Sequence, residues 1–293
     1  MGQTRADKWF EAFIYVSLSL TVLIVVYPLV FVISASFSDP SHIMKGNVWL
    51  WPVEFTLDSY TKVFQNKNIL NGYLNTIVYT VVGTAINLLL TTIIAYPLSR
   101  KDFAGRNVIT GFMVFTMFFS GGMIPTYLLV RDFGMLNTIW ALVIPGAVSV
   151  WNVVIMRTFF QSSIPYEIQE SAQIDGCSNI RILLRIVLPL SMPILAVMTL
   201  FYSVGHWNAF FNALIYMTDR GRFPLQLFLR EILIQHEMTD MVQVQDESLV
   251  KHMMQVEGLK YAVVVVANLP VLLLYPFLQK YFVKGVMVGA LKG

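Results

Sequence analysis

Six stretches of this chain contain no Asp, Glu, Lys or Arg: Ala12–Phe37, Asn68–Ser99, Asn107–Val130, Phe133–Met156, Ile186–Thr218 and Tyr261–Gln279, each 19 to 33 residues long. A helix needs about 20 residues to cross a hydrocarbon core of roughly 30 Å, so each stretch is long enough to span a bilayer. Only 13% of the 293 residues are charged and 56% are hydrophobic, against about 25% charged in a typical soluble domain. The sequence therefore predicts an all-α, polytopic membrane protein with six transmembrane helices in one domain. It excludes an ordinary soluble enzyme, and an outer-membrane barrel as well, whose strands alternate apolar and polar residues over about ten positions. The single cysteine, Cys177, has no internal disulfide partner.

The expected spans are 12–36, 73–99, 108–130, 139–160, 190–216 and 261–281. The first run is too long for a signal-peptide core and lacks a small-residue cleavage site, so it reads as a retained span. Pro28 is a tolerable kink in it, and Gly121, Gly122 and Pro125 allow a break near the far end of the third span. Residues 37–71, with Trp49 and Trp51, and residues 217–260 form the two long polar loops on one side. The opposite loops and termini carry 11 basic and 6 acidic residues, against 9 basic and 11 acidic on the first side. By the positive-inside rule both termini and residues 163–189 are cytoplasmic.

Motifs for nucleotide or zinc chemistry are missing: there is no GxxxxGK[ST], HExxH or CxxC, so no catalytic residue, metal or cofactor is assigned to the chain. His42, His206, His236 and His252 are too scattered to form a local ligand set. The middles of the spans hold no acidic or strongly basic side chain, which argues against an ion-coupled secondary carrier.

Residues 163–189 are the informative polar segment. Pro165 suits a helix start, with Glu167 and Glu170 near its positive end. Asp175-Gly176 makes a turn, because glycine accepts backbone conformations that other residues resist. A second helix starts near Ser178 or Asn179, carries an apolar stripe of Ile182, Leu183, Ile186 and Val187, and is expected to end at Pro189. From physics alone this is either a lever against a soluble partner or an amphipathic connector on the membrane surface.

Glu170-Ser171-Ala172-Gln173-Ile174-Asp175-Gly176, followed by Ile186, Leu188 and Pro189, resembles the EAA loop of ABC importer permeases, with Ser171 where alanine is usual. Residues 118–145 and 205–217 resemble the carbohydrate-uptake branch of that family. The resemblance implies a permease fold in a bacterial plasma (inner) membrane that pairs with a second homologous permease, two ATPase subunits that bind ATP and Mg, and an extracytoplasmic solute-binding protein. It implies an oligosaccharide substrate, acidic ones such as alginate- or pectin-derived included, and membrane lipid but no nucleic acid as a further partner. Glu170, Ser171, Ala172, Asp175, Gly176, Ile186, Leu188 and Pro189 would then form the ATPase-coupling element.

For the solute path the candidates are Trp207, Asn208 and Asn212 on the fifth span, the two asparagines sharing a helical face, and Trp151 and Asn152 on the fourth. Asparagine amides can bond sugar hydroxyls or bridge neighbouring helices. Asp240, Asp246 and Glu247 in the acidic outer loop are candidate contacts for the binding protein. The alternative classes are an ion-coupled secondary carrier, whose sodium site can be built from backbone carbonyls and hydroxyls without a charged side chain, and a non-transporting membrane scaffold.

Overall fold

The computed structural model describes residues 5–240, 256–274 and 276, and every regular element among them is helical. Among the described residues three helices are long and apolar enough to cross a membrane: α1 (Arg5–Ser36), α4 (Lys67–Ser99) and α14 (Val256–Leu274). Two further candidates are bent pairs, α5 (Arg106–Phe118) with α6 (Met123–Asp132) at 109°, and α10 (Asn179–Leu190) with α11 (Met192–Trp207) at 83°. Between α1 and α4 lie the short α2 (Pro40–Met44) and α3 (Asp58–Gln65). The middle of the chain adds α7 (Ile139–Val143), α8 (Val150–Ser163), α9 (Tyr166–Ile174) and α12 (Phe211–Tyr216), and α13 (Leu225–Asp240) precedes α14.

This arrangement revises four expectations. The stretch 139–160 is not one helix, because Pro145-Gly146 falls between α7 and α8 and proline can neither donate to the ladder nor pack beneath the carbonyl four residues back. The stretch 190–216 is likewise divided, at 208–210, into α11 and α12. Pro189 does not end its helix. Leu183–Val187 winds as a π-turn in which the Leu188 N–H reaches the Leu183 carbonyl, and the bend comes at Ser191. Finally, the polar loop 217–260 contains α13, whose start is set by Pro224 and whose Leu225, Leu227 and Phe228 are buried.

The chain divides into two compact units, Met1–Leu70 with Phe228–Leu269, and Asn71–Leu227 with Pro270–Gly293. In the first, α1 has a mean hydropathy of 2.6 over its best window and none of that window is buried, a surface suited to hydrocarbon rather than water. Its last turn is pinned by alternating serines. Ser34 Oγ donates to the Leu50 carbonyl at 2.6 Å, Ser36 Oγ lies 2.8 Å from the Tyr60 hydroxyl, and Ser38 Oγ accepts from the Val53 N–H at 3.0 Å. Asp39 caps α2 by accepting from the Ser41 N–H at 2.9 Å, and hydrogen bonding from Ser41 holds its carboxyl below the ordinary value.

In the second unit the main core joins α4 (Ala95, Tyr96, Leu98), α8 (Val153, Met156, Phe160), α9 (Ala172), α10 (Ile182, Val187) and α11 (Ile194, Met198, Tyr202). Where such helices sit in lipid, close packing and interhelical hydrogen bonds hold them, since lipid tails are as apolar as leucine. One face of α4 carries a buried polar stripe of Thr76, Thr80, Thr84, Asn87 and Thr91, of which Thr76 accepts from the Leu225 N–H, Asn87 donates to the Gly146 and Ala147 carbonyls, and Thr91 meets the Tyr202 hydroxyl. Their spacing of three or four residues keeps them in line along the helix.

Candidate coupling segment and solute path

α9 begins directly after Pro165 and ends at Asp175, and Gly176 follows with φ +77°. That left-handed conformation costs other L-residues roughly 1–2 kcal/mol, and it reverses the chain so that Ser178 caps α10, its Oγ accepting from the Arg181 N–H at 3.4 Å. The two arms are thus set by a glycine turn and a serine cap.

The faces of α9 differ sharply. Gln169 and Ala172 are buried, while Glu167, Glu170, Ser171, Gln173 and Asp175 are exposed. Ser171 Oγ donates back to the Glu167 carbonyl at 2.8 Å, so this residue is satisfied within its own helix. Two large apolar side chains stand out among the acidic ones at this tip: Ile174 is 85% exposed and Ile180 is 71% exposed. On the second arm Ile182 and Val187 are fully buried, Leu183, Ile186 and Leu188 half-buried, and Pro189 exposed. The arm is therefore rooted in the core of its unit while the tip projects.

Behind the segment, α8 caps the end of α4. Arg157 Nε donates to the Leu98 carbonyl at 2.9 Å and Gln161 Nε2 to the Ser99 carbonyl at 3.4 Å, while Arg106 donates to the Arg100 carbonyl at 3.0 Å. These are the carbonyls that a helix C-terminus leaves without intrahelical donors, and cations are favoured there. Arg100 is buried and forms a two-bond fork with Asp102 at 2.9 and 2.7 Å. Hydrogen bonding from Arg100 holds the Asp102 carboxyl below its ordinary range.

The solute-path candidates are placed differently from the sequence expectation. Asn208 closes α11 and Asn212 lies in α12 beyond the break, so the two do not share one continuous helical face. Asn208 is exposed, donates to the Val204 carbonyl at 3.0 Å and accepts from Gln226 at 3.3 Å. Trp207 is buried and meets Tyr73 edge-on at 5.6 Å between centroids. On α8, Trp151 is exposed and Asn152 buried. Asp240 is the last residue of α13, but its side chain, with Asp246 and Glu247, lies outside the described residues. Sequence reasoning missed Asn87. Its amide donates to the Gly146 and Ala147 carbonyls at 3.0 and 2.8 Å.

A helical chain with broken spans and a projecting, acidic two-arm segment can transmit force and frame a path. Its residues 87–288 match the family described as binding-protein-dependent transport system inner membrane component. The chain belongs to this family. It is similar to Protein LplC of Bacillus subtilis (strain 168), 41% identical over 293 residues, covering 100% of this chain and 98% of that protein. It is also similar to the polygalacturonan/rhamnogalacturonan transport system permease protein YtcP of the same organism, 41% identical over 292 residues, covering 98% of this chain and 99% of that one. Among solved structures it resembles a chain of a bacterial ABC transporter involved in import of the acidic polysaccharide alginate, with TM-score 0.86, 31% identity, and coverage of 96% of this chain and 99% of that one. As an inner-membrane permease component it is a non-enzymatic membrane subunit. Among the described residues no three His, Cys, Asp or Glu side chains converge on a metal position.

Proposed function

We propose that this permease is one of two homologous membrane subunits of an ATP-driven importer of acidic oligosaccharides, and that residues 163–189 dock on a cytoplasmic ATPase. The observation that carries the coupling role is the two-faced tip. Glu170 and Ile174 project from a helix whose Gln169 and Ala172 face inward, and an exposed isoleucine beside carboxylates suits a partner groove with an apolar floor and basic rim. Gly176 sets the angle between the arms, and the buried Ile182 and Val187, with the half-buried Ile186 and Leu188, root the second arm that Pro189 continues. ATP and Mg belong to the two ATPase subunits, and an extracytoplasmic binding protein delivers the solute, with Asp240, Asp246 and Glu247 as its contacts. The six-span topology has both termini in the cytoplasm.

The acidic-sugar reading is supported by similarity to the YtcP permease, named for polygalacturonan and rhamnogalacturonan, and to the alginate importer chain. Along the path, Asn208, Asn212 and Trp151 are the accessible groups for sugar hydroxyls. The complex reconstituted in liposomes with its binding protein should show ATP hydrolysis stimulated by oligogalacturonate, rhamnogalacturonan or alginate fragments and not by maltodextrin. Stimulation by neutral glycans alone would refute the acidic-substrate reading.

A further inference from the structure

We infer that Gln169 and Arg100 form the positioning latch through which movement of α9 is carried into α4; this inference rests on the coupling reading above. α9 is nine residues long, too short to hold its shape alone in water, so its contacts fix where it sits. Its apolar contacts, centred on Ala172, have no direction and permit rotation or sliding. The bond from Arg100 Nη1 to Gln169 Oε1 at 3.4 Å is different. It is charge-assisted, and both residues are nine-tenths buried or more, at 5% and 6% exposure. Among the described residues it is the only side-chain hydrogen bond that α9 makes outside its own segment.

The donor end is rigid. Arg100 is clamped by Asp102 and donates also to the Tyr96 hydroxyl at 3.1 Å, one turn back on α4. Its own carbonyl is held by Arg106, and the Leu98 and Ser99 carbonyls are held by α8. The guanidinium thus behaves as a fixed extension of the α4 terminus, shared with α8. A planar fork with several donors in fixed directions suits this work better than a flexible ammonium. Gln169 is buried and the adjoining Glu170 exposed, so a push received outside is met by a directional bond inside.

Removing the acceptor leaves Arg100 with Asp102 and Tyr96, so Gln169→Leu should fold and assemble. The test uses the complete complex in a Cys177→Ala background, with spin labels on Gln173→Cys in α9 and Leu89→Cys in α4, both exposed. Distances are measured before and after trapping with ATP and vanadate. With Gln169 the distance should stay constant and narrowly distributed through the cycle, because α9 and α4 move as one body. Gln169→Leu should retain co-purified ATPase but give a broadened distribution that shifts on trapping, and Gln169→Glu should restore the narrow one. A distribution unchanged in Gln169→Leu, or the same defect in Gln169→Glu, overturns the latch. So does loss of ATPase from Gln169→Leu, which would place the residue in the docking surface. Failure of the coupling reading is seen separately, as ATPase retained at full level by Glu170→Lys.

Discussion

His206 Nε2 donates to Asn87 Oδ1 at 2.6 Å, directly over Gly83, where a Cβ would lie 2.5 Å from the same imidazole nitrogen. Both Asn87 amide hydrogens are committed to the Gly146 and Ala147 carbonyls, so its oxygen faces the ring and the ring nitrogen must carry the proton. One asparagine therefore ties α4 to two interruptions, the one between α7 and α8 and the end of α11 just before Asn208. Irregular backbone at membrane depth persists where its polar groups are satisfied internally. Asn87 does this for the 144–149 interruption.

Gly83→Ala should push the His206 ring away from Asn87 and lower the melting temperature of the solubilised protein. The double variant Gly83→Ala/His206→Ala should be more stable than the sum of the single effects, because the methyl group fills space the ring has left. Coupling between such touching residues is about 0.5–3 kcal/mol, and strict additivity would show that the close approach is not tight.

Replacing Asn87 with leucine should cost more than a typical interhelical bond, which averages about 0.6 kcal/mol in membrane helices. Two backbone carbonyls lose their donors at once, at about 1–3 kcal/mol for each group left buried and unpaired. Thermal unfolding in detergent checks this, and a melting point equal to wild type would mean the carbonyls find other donors.

Asp102 gives a pH prediction. Its carboxyl is depressed by Arg100, so the stabilisation it supplies is present above the unfolded value near 3.8 and is lost only as pH falls through the lower folded value. The melting-point difference between wild type and Asp102→Asn should thus be flat from neutral pH to well above that value and shrink below it. A difference that vanishes near neutrality would contradict the Arg100 fork.

For the solute path, Asn208→Ala and Asn212→Ala should each reduce oligosaccharide-stimulated ATP hydrolysis while the complex stays assembled. Because the two residues sit on separate helices, their effects should be additive rather than shared. Loss of assembly would instead assign them to helix bridging.

Much of the coupling segment was legible because its signals are local. Pro165, Asp175-Gly176 and Ser178 each act within one turn of where they stand, and the apolar stripe from Ile182 to Val187 needs only helical spacing. The break at Gly121-Gly122 was readable for the same reason, Gly122 taking φ +87°. Pro145-Gly146 carried an equally plain turn signal that the uncharged run around it masked. The end of α11 at Asn208 has no proline or glycine at the break itself, and its position follows from contacts with Tyr73 and Gln226 that no window of sequence contains. The polar stripe from Thr76 to Thr91 could have been found by testing α4 for helical periodicity in polar residues. Its partners could not, since Gly146 and His206 lie 59 and 119 residues away along the chain.

In the proposed function, the projecting tip of residues 163–189 is where an ATPase engages this permease. Glu170→Lys changes one exposed side chain outside every expected span, so insertion and pairing with the sister permease should be unaffected. Disrupting one member of an interfacial charge pair costs about 2–5 kcal/mol, which predicts that ATPase co-purification and uptake fall together by well over tenfold. Wild-type levels of both in the Glu170→Lys complex would contradict the account and leave the segment an ordinary connector.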